Sequence, residues 1–167
     1  MPARLPPSGQ GGHRAFTLIE LMAVLAVICI LLLIALPSYL DKMVREQVQE
    51  ALPLADVPKP AVEAAWRLGG TVPADNAAAG LPAADKIVNA MVSSVTLEDG
   101  AIHVVFGNRA HASLRGKTLS VRPAVVEDAP VVPITWLCGR AAAPDKMKAL
   151  GSNRTDIPVG LLPIRCR

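Results

Sequence analysis

The sequence predicts an α+β fold: a long N-terminal α-helix, membrane half followed by amphipathic half, packed on a roughly four-stranded antiparallel sheet. Three observations predict it. Phe16 to Leu36 form 21 consecutive positions that are apolar except for Thr17 and Glu20. Beyond Pro37, apolar residues recur at helical spacing. Later in the chain, apolar residues alternate with polar ones around an Asp99-Gly100 turn signal.

The first segment would span about 31 Å as a helix, the thickness of a bilayer core at about 30 Å. A secretory signal peptide usually has an apolar run of only about 7–15 residues, closed by a small-x-small cleavage site. Here the run is longer and Pro37 follows it directly, without a good Ala-x-Ala. Arg4 and Arg14 precede the run with no acid before Glu20, whereas Asp41, Lys42, Arg45 and Glu46 mix signs after it. That asymmetry places the N-terminus in the cytoplasm and the C-terminal part outside. Glu20 is the anomaly. A carboxylate inside a spanning helix costs about 2.5–3.5 kcal/mol on insertion scales. Two readings stand at this point: a side chain one turn inside the helix that snorkels to the interface, or a functional group.

Pro37 removes a backbone donor and should kink the helix without necessarily ending it. Leu40, Met43, Val44, Val48, Ala51 and Leu52 then line one face, and Asp41, Lys42, Arg45, Glu46, Gln49 and Glu50 fill the other. Asp41–Arg45 and Lys42–Glu46 are opposite-charge pairs at i,i+4. A simple anchor needs no such extension, so the pattern suggests a subunit that packs along its rod. Pro53, Pro58 and Pro60 predict a break, Ala61 to Leu68 a second short helical piece, and Gly69-Gly70 its end. A loop from Thr71 to Ala84 leads to the strands: Val95 to Leu97, Ile102 to Phe106, one around Leu119 and Val121, and a fourth over Val131 to Cys138. Pro133 favours an edge or a bend for the last.

Composition sets limits. The chain has 167 residues, 51% hydrophobic, 19% charged and 3% aromatic, with net charge +3. That fits one domain and excludes disorder for most of it. The charge is too mild to argue for nucleic acid alone. His13, His103 and His111 have no ligand spacing, so no metal is expected. Neither a phosphate-binding Gly loop nor a nucleophile elbow occurs, and no cofactor or catalytic residue is expected. Cys29 reads as a small apolar packing residue. Arg109, Arg115, Lys117 and Arg122 cluster around the third strand, with Arg140, Lys146, Lys148 and Arg154 further on. They read either as solvated faces and subunit contacts or as a groove for DNA phosphates.

The string Ala15-Phe16-Thr17-Leu18-Ile19-Glu20-Leu21-Met22 is very similar to the processing site of type IV prepilins. Counted from Phe16, Pro37 and Tyr39 occupy the twenty-second and twenty-fourth positions, where that family has Pro and Tyr. The segments Thr135-Trp136-Leu137-Cys138-Gly139 and Leu162-Pro163-Ile164-Arg165-Cys166-Arg167 resemble the ends of the C-terminal loop of type IVa pilins. The resemblance implies a pilin fold with a Cys138–Cys166 disulfide. It implies cleavage by a prepilin peptidase between Ala15 and Phe16, with Ala15 replacing the usual Gly, and N-methylation of Phe16. It also implies a role for Glu20 in assembly, opposite the N-terminal ammonium of a neighbouring subunit.

The expected organisation is a leader over 1–15, a membrane and filament-core helix over 16–36, an amphipathic continuation over 37–68, and a globular head over 69–167. Removing the leader takes away two positive charges, which leaves the mature chain near +1. The implied function is a structural subunit of a type IV pilus, stored in the inner membrane and polymerised into an extracellular filament for adhesion, motility or DNA uptake. Its partners would be other pilin subunits, the assembly machinery and DNA. A minor pilin acting as a DNA-binding or tip module is the alternative, and a type II secretion pseudopilin a more distant one.

Overall fold

A computed structural model describes residues 17–167. Ala15, Phe16 and the expected leader lie outside the described residues. The chain divides into two compact units, one up to Ser38 and one spanning Tyr39–Arg167.

Helix α1 spans Leu18–Ala55. Thr17 starts it: its Oγ1 accepts the Glu20 backbone N–H at 3.3 Å, and its carbonyl accepts the N–H groups of Glu20 and Leu21. The helix continues through Pro37, where proline leaves the Leu33 carbonyl without its usual donor. Asp56 and Val57 close the last turn with bonds to Pro53 and Leu54. Helix α2, Lys59–Gly69, has Pro58 as its N-cap and ends at Gly70 in the left-handed region (φ 63°), whose N–H donates to the Trp66 carbonyl at 2.8 Å.

Four strands follow as an antiparallel meander: β1 (Val92–Glu98), β2 (Ala101–Phe106), β3 (Thr118–Val125) and β4 (Thr135–Cys138). A two-residue strand β5 (Lys148–Ala149) pairs with the end of β3 at Ala124 and Val125. The turn between β1 and β2 is the Asp99-Gly100 pair, both at positive φ.

The core lies between α1 and one face of the sheet. Val44, Val48, Ala51 and Ala55 form the buried stripe of α1, alternating four and three residues apart. They join Val92, Val95, Leu97, Ile102, Val104, Phe106, Leu119 and Val121 from the strands. Leu40 and Met43, expected on the inner face, are exposed, because the head begins to cover α1 only at Val44.

Two further expectations are corrected. The fourth strand starts at Thr135, not Val131: Val131 is exposed, and Pro133, which lacks an N–H, precedes the ladder. The Asp41–Arg45 pair does not form, because the Arg45 Nε donates instead to the Gly160 carbonyl at 2.9 Å. Lys42–Glu46 is present at 3.8 Å, with both side chains well exposed, so it contributes little.

Three devices fix the head. Asn76 in the loop after α2 is buried; its Nδ2 donates to the Pro82 and Val95 carbonyls, and its Oδ1 accepts the Leu97 N–H at 2.6 Å. Cys138 and Cys166 are joined by a disulfide. The segment between them is bonded back to the sheet: Leu150 N–H donates to Pro123, Asp156 N–H to Thr118, and the Asp156 carboxylate accepts the Thr118 N–H. Ile157 and Leu162 in this segment are fully buried.

Candidate functional site

Within the first unit the observation that matters is exposure. From Leu18 to Leu36 every side chain of α1 is exposed, and Leu18, Ile19, Leu33 and Ile34 each exceed two-thirds of full exposure. The helix is long and apolar enough to cross a membrane. Burying each such side chain is worth about 1.5–3 kcal/mol. A helix apolar on all sides is therefore stable only inside lipid or among other apolar helices.

Glu20 sits in the first turn of this helix, where a carboxylate also complements the helix dipole. Thr17-Leu18-Ile19-Glu20 fits the capping-box pattern, and its Thr17 half is formed. In the sequence alone Thr17 reads only as a polar interruption of the apolar run. Its spacing to Glu20 was the available signal for a cap.

The cysteine pair and the basic residues belong to the second unit. Cys166 is fully buried and Cys138 nearly so. Gly139, at φ 60°, lies against the Cys166 carbonyl, which also accepts the Arg140 N–H at 3.0 Å. The four residues suggested for DNA do not form one free basic face. Lys117 lies 3.4 Å from the Asp156 carboxylate, and Arg122 is half-buried with its Nε enclosed and unbonded. Arg109 and Arg115 are exposed on the loop between β2 and β3. Among the other cations, Lys148 is paired with Glu127 at 2.6 Å and Arg154 with Glu98 at 2.5 Å. The Glu127 pair raises the pKa of Lys148.

His103 and His111 serve local structure. His111 Nδ1 bonds the Ser113 hydroxyl at 2.8 Å. His103 is buried on the sheet face away from α1, with Nδ1 2.9 Å from the Ser120 hydroxyl, which also accepts the Arg154 N–H. Burial holds its pKa below the ordinary histidine range. The Arg154 guanidinium adds to that effect, and Glu98 partly opposes it. Among the described residues, no three His, Cys, Asp or Glu side chains group to hold a metal ion.

Comparison with known proteins places this architecture. Residues 44–167 match the family model for pilin, a bacterial filament protein, and residues 11–36 match the prokaryotic N-terminal methylation motif. The chain belongs to the pilin family. The chain is 36% identical over 161 residues to the type IV major pilin protein PilE of Neisseria gonorrhoeae, covering 93% of this chain and 94% of that protein. A fimbrial protein of Neisseria meningitidis serogroup B is 32% identical over 164 residues, with the same coverage. The fimbrial protein EcpC of Eikenella corrodens is 43% identical over 113 residues, covering 66% of this chain and 74% of that protein. The disulfide, the long apolar helix and the antiparallel sheet are thus those of a pilin, and this pilin is a structural subunit of a pilus.

Proposed function

We propose that the chain is made as a prepilin, held in the inner membrane by α1 with its N-terminus cytoplasmic, and assembled into an extracellular type IV filament. The observation that carries this reading is the apolar helix exposed on all sides and joined to a head that buries its own core. One apolar surface then serves two states. Lipid covers it while the subunit is stored, and the helices of other subunits cover it in the filament.

In this reading a prepilin peptidase cuts between Ala15 and Phe16 and methylates the Phe16 nitrogen. Cleavage creates an ammonium at membrane depth without a counter-ion. Glu20 of a neighbouring subunit supplies one, neutralising two costly charges at once. Such a pair sets axial register more than it adds net stability. The protein performs no catalysis of its own; adhesion, motility or DNA uptake are outputs of the assembled filament.

The test is Glu20→Gln in the full chain, with processing read by mass and assembly by the sheared surface fraction. The expected result is a correctly cut, methylated chain that stays in the membrane and yields few filaments. Filaments at wild-type yield would overturn the role of Glu20.

A further inference from the structure

Beside α1 lies a groove of about 690 Å³, lined by Arg45, Gln49, Pro163, Ile164, Arg165 and Arg167. It collects three guanidinium groups. Two are held at their Nε atoms by backbone carbonyls: Arg45 by Gly160 at 2.9 Å and Arg167 by Leu162 at 3.1 Å. Each therefore presents its terminal nitrogens from a fixed position. None of the three arginines meets a carboxylate among the described residues, whereas Lys117, Lys148 and Arg154 all do.

An exposed apolar side chain lies among these charges. Ile164 is 86% exposed at the groove itself. Tyr39, Leu40 and Met43, all exposed on α1, lie within six residues of Arg45, with the exposed Asp41 and Lys42 between them. An aromatic residue, then apolar side chains interleaved with charged ones, then arginine is the order expected where a chain leaves hydrocarbon and enters the headgroup layer. Arginine matches phosphate oxygens in a bidentate fork.

We propose that this groove seats the phosphate of an anionic phospholipid at the outer surface of the membrane while the subunit is stored there. Arg45, Arg165 and Arg167 hold the phosphate, and Ile164 dips among the acyl chains. The proposal rests on the membrane-storage reading above. The site would hold the head down on the membrane until the subunit leaves for the filament.

The test uses the full chain in lipid discs of phosphatidylcholine and phosphatidylglycerol in equal parts. Lipid that stays on the chain after detergent extraction is identified by native mass spectrometry. The expected result is retained phosphatidylglycerol in excess over phosphatidylcholine. Arg165→Gln and Arg167→Gln should each lower that excess by about fivefold. Arg165→Lys should keep part of it, and Arg109→Gln, a charge-matched change on the β2–β3 loop, should keep all of it.

Equal retention of the two lipids, or an excess unchanged in the Gln variants, overturns the proposal. So does displacement of phosphatidylglycerol by inorganic phosphate at equal concentration, which would make this a site for free phosphate. A chain that enters neither these discs nor discs of phosphatidylcholine alone overturns the membrane-storage reading along with the proposal. Entry without selectivity overturns the groove alone.

Discussion

Replacing both Cys138 and Cys166 with alanine should destabilise the head by a calculable amount without unfolding it. The disulfide closes a loop with a sequence separation of 28. In the chain-entropy model such a closure contributes about 3.6 kcal/mol at room temperature. The segment stays docked without the bond, because β5, the Leu150–Pro123 and Asp156–Thr118 bonds and the burial of Ile157 and Leu162 remain. The loss should therefore arise from a freer unfolded chain, not from a collapsed native state. The two tryptophans, Trp66 and Trp136, both lie in the second unit, so their fluorescence in urea reports the head and not the apolar N-terminal segment. At a slope of about 2 kcal/mol per molar urea, the midpoint should fall by about 1.8 M with a single cooperative transition. Reduced wild-type protein should behave like the variant. A shift smaller than about 0.5 M, or a transition that breaks into two steps, would refute the reasoning.

Asn76→Ala removes one acceptor and two donor contacts at a buried site, stranding the Leu97 N–H and two carbonyls. It should cost about 2–3 kcal/mol in the same urea assay. Gly139→Ala sets a methyl against the Cys166 carbonyl oxygen at positive φ, whereas Gly116→Ala meets nothing within 4 Å. Thermal melts should show a clearly larger drop for the first, with the second near the left-handed backbone cost of about 1–2 kcal/mol. His103 has a folded pKa below its unfolded value of 6.5. The unfolded chain therefore binds the extra proton first as pH falls. The contribution is complete above about pH 6.5 and is lost below it, at up to about 1.4 kcal/mol per pH unit, until the folded pKa is reached. Urea midpoints of wild type and His103→Gln, compared from neutral pH down to about 5, should converge as pH falls.

The sequence made the helix and hairpin legible because both rest on local signals. Twenty-one near-unbroken apolar positions and the Asp99-Gly100 turn need no tertiary context. The fourth strand was placed four residues too early because Val131 and Val132 look like strand residues, whereas the ladder begins only after Pro133. Strand β5 was invisible: Lys148-Ala149 has no strand pattern, and only its docking on Ala124 and Val125 makes it one. Asp41–Arg45 failed for a similar reason, since the competing acceptor, Gly160, is 115 residues away. The arginine groove was hidden in the same way. Arg165 and Arg167 were legible only as the end of a cysteine loop, and it takes the folded chain to bring them beside Arg45 and Gln49.

The central claim is that this chain is a processed filament subunit, and mass spectrometry of filaments sheared from the cell surface tests it most directly. The account predicts that the chain is present in those filaments and begins at N-methyl-Phe16. A chain that keeps Met1 and stays in the membrane, absent from the filaments, would contradict it.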